Sequence, residues 1–175
     1  GEIRKRVIDS LDSVELIGIV EPNEKISEKI EPHLFCPSLE KLLERDIDII
    51  FVATPNSYAP ALCIQSLNAG KHVFCEKPPG RNLKDIENII EAEKANPSVK
   101  LMFGFNHRFH PAVMKTRAVI DSGRMGRVLG IRGLYGKSGG VNYRDSWRND
   151  KAISGGGILL DQGIHMLDLF RYFCG

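Results

Sequence analysis
Three residues of this chain have the types and the placement for proton transfer. Lys77 and Glu76 end the apolar run Val73-Phe74-Cys75, and Pro78-Pro79-Gly80 follow at once. Two prolines and a glycine stop the strand there and delay any helix. In an open parallel α/β sheet, that carboxyl edge is where ligands bind. A lysine held there, partly out of water, has a lowered pKa and can act as a base. The plain alternative is a solvated Glu-Lys pair at a strand end. Asp161 and His165 are the other two residues. Four apart on a helix, they share one face, where a carboxylate and an imidazole can hold a hydroxyl and shuttle its proton. Gly155-Gly156-Gly157 precede them and let backbone approach a ligand closely. The competing reading has Asp161 capping its helix and His165 as a satisfied core histidine. No third ligand stands at a useful spacing, so no metal is expected.

Weaker candidates fall at the same edge. Thr54-Pro55-Asn56 close the apolar run Ile47 to Ala53, and Asn106 and Arg108 follow the run Val99 to Phe105. Each has a plain counterpart: a Pro-containing turn for the first, a surface charge for Arg108. Trp147-Arg148 could stack on a ring or sugar, or fold back as a packing anchor. Glu21 ends the run Val14 to Val20, about 20 residues after Gly1. That is the spacing between the last glycine of a dinucleotide-binding turn and the acidic residue that meets the ribose 2′-hydroxyl.

The elements that must position these residues alternate. Helices are expected over 2–11, 23–31, from Ser38 through Leu43, over 57–69 with Gly70 closing it, and from Asn82 to Lys94. Strands are expected over 14–20, 47–53, 71–76 and 99–105, with a short extended piece at Leu34-Phe35-Cys36. Near-continuous apolar strands between helices predict an α/β fold with a parallel sheet covered on both faces. Such a doubly wound sheet begins with a strand and a glycine-rich turn. This chain enters directly at a helix, so both are read as absent and the absent strand as the central one. After about residue 105 the character changes. A helix over 111–122, a β-rich stretch over 127–135, a polar loop over 136–157 and a final apolar-faced helix are expected. The division is therefore 1–104 as a partial dinucleotide-binding domain and 105–175 as the start of a second, truncated one.

Composition excludes several function classes. Lys and Arg lie among Asp and Glu with a formal net charge of +2 over 175 residues, which argues against a nucleic-acid footprint. No apolar run approaches the length of a membrane span. Cys36, Cys63, Cys75 and Cys174 form no CxxC pair, which predicts reduced thiols in a cytoplasmic protein.

Taken together the motifs resemble one family. Gly70-Lys71-His72-Val73 with Glu76-Lys77-Pro78, Glu21-Pro22, Thr54-Pro55-Asn56, Gly104 to Phe109 and Ser154 to His165 run in the order of the signatures of the Gfo/Idh/MocA oxidoreductases, the glucose–fructose oxidoreductase and inositol dehydrogenase family. The resemblance implies a Rossmann domain, then an α/β domain whose sheet often forms an oligomer interface, so a homo-oligomer is expected of the full-length protein. It implies NAD as cofactor, with NADP disfavoured by Glu21, and a sugar, polyol or nucleotide-sugar substrate. It makes Lys77 the catalytic lysine, and Asp161 and His165 the pair that binds and polarises the reacting hydroxyl. Gly1, Glu21, Thr54, Pro55, Asn56, Glu76, Lys77 and Asn106 fall on the cofactor side, and Lys77, Arg108, Trp147, Arg148, Asp161 and His165 on the substrate side. Tyr58 stands where the family often has His. Two further family activities stay open: a hydrolase or lyase that uses NAD in a closed cycle, and a non-catalytic NAD-binding regulator.

Overall fold
A computed structural model describes residues 1–136 and 146–175. The first part alternates as the apolar pattern requires: α1 (Glu2–Ile8), β1 (Ile19–Val20), α2 (Glu24–Ser27), β2 (Phe35–Cys36), α3 (Leu39–Leu43), β3 (Ile49–Val52), α4 (Ala59–Asn68), β4 (His72–Cys75), α5 (Leu83–Ala95) and β5 (Leu101–Phe103). Every strand pair is parallel, because each pair is joined through a crossover helix or loop. Val52 pairs with Cys75, and Cys75 with Phe103. The carboxyl ends of β3, β4 and β5 are therefore level, and the turns after them open at one edge.

The sheet is in two pieces, β1-β2 and β3-β4-β5. The strand expected over 14–20 is paired only at Ile19–Val20, since a ladder extends only as far as its partner and β2 offers two residues. One face of the larger sheet carries the core. Ile50, Val52, Val73 and Cys75 point at Cys63 and Leu67 of α4 and at Ile89 and Ala92 of α5. The period-2 pleat sends Ile49, Phe51, Phe74 and Met102 to the other face. There Ile49, Phe51 and Met102 remain exposed, and Arg4 of α1 lies over the Phe74 ring at 4.5 Å. Among the described residues one face is thus fully covered and the other in part, by α1.

The helix ends follow their capping chemistry. Asn82 Oδ1 accepts the Asp85 N–H at 3.0 Å, Ser38 Oγ accepts the Lys41 N–H, and Gly70 takes φ +73° after α4. Asn82→Ala is expected to cost about 1 kcal/mol, read as a lower urea midpoint.

The second part holds a 3₁₀ turn (Asn106–Phe109), α6 (Pro111–Asp121), a 3₁₀ turn (Trp147–Asn149), α7 (Lys151–Ser154), a π-turn (Leu159–Gly163) and α8 (Ile164–Cys174). The expected β-rich stretch 127–135 forms no strand, for no described segment offers it a partner edge. Its Leu129 and Leu134 are exposed. Of the expected polar loop, Lys137-Ser138-Gly139-Gly140 lie outside the described residues, while Trp147–Ser154 is turn and short helix. The helix expected after Gly157 is divided into the π-turn and α8. No described helix is long and apolar enough to cross a membrane.

The two parts are tied by specific contacts. Asn56 Nδ2 donates to the Ser154 carbonyl at 2.8 Å, and Arg81 Nη1 to the Ala152 carbonyl at 3.2 Å. Gly155, at φ +82°, lies so close to Arg81 that a Cβ would meet its backbone.

Candidate active site
β4 ends at Cys75, and the buried Pro78-Pro79-Gly80 fix the chain that leaves it. Between them the Lys77 side chain is 15% exposed. Its Nζ donates to the carbonyl oxygen of Asp161 at 2.6 Å and lies 3.4 Å from Asp161 Oδ1, across 84 residues of sequence. The neighbouring Cys75 is no rival nucleophile. The adjacent Cys63 thiol and burial push its pKa upward, so it stays protonated.

Asp161 sits in the π-turn, where the regular hydrogen-bond register is broken and the helix widens. Asp161 and His165 nevertheless stand on one continuous helical stretch, four residues apart, and both lie near Lys77. They stand on either side of the junction at Gly163-Ile164. Gln162 Nε2 donates to Asp161 Oδ2 at 2.8 Å, and Arg148 Nε lies 3.7 Å from Oδ1. Burial pushes the Asp161 carboxyl up, but the Gln162 hydrogen bond and the charges of Lys77 and Arg148 outweigh it. The net pKa is below the ordinary 3.8, so the carboxylate is ionised at neutral pH.

His165 is 4% exposed, and its Nδ1 is buried with no hydrogen-bond partner among the described residues. Burial first, then the charges of Lys77 and His107, lower its pKa to about 4. A neutral imidazole is thus held beside an ionised carboxylate and the Lys77 side chain. The sign of the pH effect follows. The unfolded chain binds this proton near pH 6.5, the folded chain only near 4. Between those values the unfolded state holds more protons, so acidification favours unfolding. At about 1.4 kcal/mol per unit, stability is expected to fall on the order of 2 kcal/mol between pH 7 and 4.5 from this group. Urea midpoints at the two pH values test this, and the fall should shrink in His165→Gln.

The other candidates separate by role. Arg108 donates from Nε to Asp168 Oδ2 at 2.8 Å and from Nη2 to Oδ1, and the Asp168 carboxylate is 7% exposed. Arg108 clamps the 3₁₀ turn to α8. Asn56 is buried, with its amide spent on Ser154, and so serves as a brace between the parts. Arg148 lies over the Trp147 ring at 4.6 Å, and both side chains are half-buried. Thr54 Oγ1 is buried without a partner among the described residues, at the end of β3 beside Pro55. Glu76 Oε1 accepts from Arg4 Nε at 2.8 Å, and Glu21 Oε1 from the Asn23 N–H at 2.9 Å. Gly1 precedes α1, Asn106 is exposed, and Tyr58 is exposed at the start of α4. The residues fit a dinucleotide. An orphaned hydroxyl stands at the carboxyl edge, and acidic groups end β1 and β4.

Sequence reasoning passed over His107, between the two residues it chose. The His107 ring lies on His165 with centroids 3.8 Å apart and planes 11° from parallel. The available signal was an aromatic side chain flanked by Asn and Arg at a strand end.

A family model described as "Oxidoreductase family, NAD-binding Rossmann fold" matches residues 2–105, and one described as "GFO/IDH/MocA C-terminal domain" matches residues 113–175. Levoglucosan dehydrogenase of Pseudarthrobacter phenanthrenivorans is 37% identical over 132 residues, 74% of this chain and 34% of that protein. Myo-inositol 2-dehydrogenase of Thermotoga maritima is 33% identical over 138 residues, 78% of this chain and 39% of that protein. The chain thus spans well under half the length of these curated relatives. Among solved structures, levoglucosan dehydrogenase in complex with NADH and levoglucosan superposes with a TM-score of 0.80 at 32% identity, covering 90% of this chain and 44% of that one.

Proposed function
The chain belongs to the Gfo/Idh/MocA oxidoreductase family, with its NAD-binding Rossmann fold, and on that premise we propose that it carries the reacting centre of an NAD-dependent dehydrogenase for a sugar, polyol or nucleotide-sugar hydroxyl. The observation that supports this most is the meeting of the largely buried Lys77 and Asp161 side chains, with His165 buried close by. When bound, NAD supplies the hydride acceptor. Gly1, Glu21, Thr54, Pro55, Glu76 and Asn106 would hold it, and Glu21 favours NAD over NADP because a carboxylate repels a 2′-phosphate.

The protein's own part is to orient the hydroxyl and move its proton. The ionised Asp161 accepts the hydroxyl hydrogen bond and fixes the C–H of the carbinol carbon toward the cofactor side. The neutral His165, or Lys77 in its free-amine form, can take the proton as the carbonyl forms. Arg148 lies beside the carboxylate with Trp147 stacked on it, and the two supply polar and stacking contact to a hydroxyl-rich ligand. The division into a cofactor part (1–104) and a substrate part (105–175) belongs to the same proposal. So does assembly of several copies, which the exposed Leu129 and Leu134 support.

The test mixes the full-length protein with NAD and a panel of sugars, inositols and nucleotide-sugars and follows reduced nicotinamide by absorbance. A signal with one substrate class is the expected result. Turnover of a substrate without net NADH would move the reading to the closed redox cycle.

A further inference from the structure
The imidazole of His107 has no place in the reading so far, yet it covers one face of His165. It is carried by the 3₁₀ turn after β5, and that turn is not free to drift. The next residue, Arg108, grips Asp168 through two hydrogen bonds and lies over the Tyr172 ring at 5.2 Å. Asp168 and Tyr172 belong to α8, the helix that carries His165. One clamp therefore sets the register of the turn against α8 and lays the 107 ring on the 165 ring.

The rest of the enclosure is aromatic. Phe105 meets His165 edge-on, with centroids 6.3 Å apart and planes at 86°. Tyr135 is stacked on His107 at 5.5 Å, with its plane 28° from that ring. A ring covered flat on one face and edge-on by another has little rotational freedom about its outer χ angle, which for histidine is otherwise broad. Nδ1 of His165, lacking a hydrogen-bond partner among the described residues, cannot supply that restraint. In histidines that work with a carboxylate or a metal, a second hydrogen bond usually sets the ring plane. Here a stacked ring stands in its place.

We propose that His107 is a positioning residue for His165: by lying flat against it, His107 holds the imidazole plane in which His165 meets the reacting hydroxyl. This rests on the dehydrogenase reading of the site. The titratable groups facing the pair come from several elements: Lys77 after β4, Asp161 in the π-turn, Asp168 on α8, His110 at the head of α6, and the Tyr135 phenol. Lys77 and His107 oppose a charge on His165, while Asp168 and Asp161 favour one. Desolvation by burial is the largest influence and keeps the imidazole neutral.

The test uses a planar and a non-planar replacement of similar bulk. His107→Phe keeps a flat apolar ring on His165, and His107→Leu keeps the burial without the flat contact. In the full-length protein, turnover of His107→Phe is expected within about threefold of wild type, and that of His107→Leu to fall about tenfold or more, because misplacement of a reacting group on the ångström scale costs up to about 100-fold. A second readout needs no substrate. By NMR titration of the chain, the His165 imidazole should stay well below 6.5 in His107→Phe and rise by about one unit or more in His107→Ala, where water reaches the uncovered face. Equal turnover of the Phe and Leu variants would overturn the proposal. So would an unmoved His165 titration in a folded His107→Ala. Silence of the wild-type protein toward every sugar and polyol would instead count against the dehydrogenase reading, and the titration would still decide the role of His107.

Discussion
Lys77→Ala is expected to lower kcat by about 10²–10⁴, the range for loss of a positioned proton-transfer group, while NAD affinity changes little. Lys77 reaches the Asp161 carbonyl at 2.6 Å and carboxylate at 3.4 Å, and does nothing for the core, which lies on the α4–α5 side of the sheet. Its loss should therefore be catalytic more than structural. It also changes the charges left behind. Asp161 keeps Arg148 as its nearby cation, and His165 loses the positive neighbour that helps hold its pKa down. The acid limb of the pH–rate profile should then move to higher pH. Lys77→Arg separates charge from proton transfer, since a guanidinium keeps the positive charge but cannot accept a proton. Arg is expected to be nearly as poor as Ala. Wild-type turnover with Arg would reduce Lys77 to an electrostatic anchor. Steady-state kinetics with calorimetry of NAD binding measures all three quantities.

Gly155→Ala is the second large effect, and it acts on the joint between the two parts. At φ +82° an L-residue is strained by roughly 1–2 kcal/mol. Its Cβ would stand 2.4 Å from Arg81 Cβ and 2.5 Å from Arg81 Cα, so backbone has to give way. Overpacking of this kind costs about 1–3 kcal/mol more. Ser154 and Ala152, whose carbonyls accept from Asn56 and Arg81, are the residues displaced. Since the π-turn with Asp161 follows directly, the Lys77–Asp161 contact should loosen with them. Urea unfolding should show a loss of several kcal/mol, and activity should fall beyond what the folded fraction explains. Gly157→Ala, where a Cβ meets nothing within 4 Å, is the matched control, expected within about 0.5 kcal/mol of wild type.

The parts of this protein written in local chemistry were legible from its residues. The apolar runs around Ile49–Val52 and His72–Cys75, the Ser38 and Asn82 caps and the glycine after α4 each depend on neighbours in sequence. Lys77 was legible because a strand that stops at charge, proline and glycine leaves few geometries. What could not be read depends on partners far along the chain. Residues 14–18 and 127–135 have the composition of strands, but an unpaired edge makes no ladder. Arg108 looks like a free cation until Asp168, 60 residues on, is placed against it. The π-turn leaves no local mark in a stretch whose spacing suits a regular helix. His107 gains its meaning only from a ring 58 positions away.

The most direct measurement of the central claim is deuterium transfer. A substrate of the responsive class, labelled at the reacting carbinol carbon, would be turned over with NAD by the wild-type protein and by Lys77→Ala. The account predicts that the label moves to the nicotinamide, and that transfer in the variant is slower by about the factor lost in kcat. Consumption of the labelled substrate with the deuterium released to water, or transfer at the wild-type rate in Lys77→Ala, would contradict it.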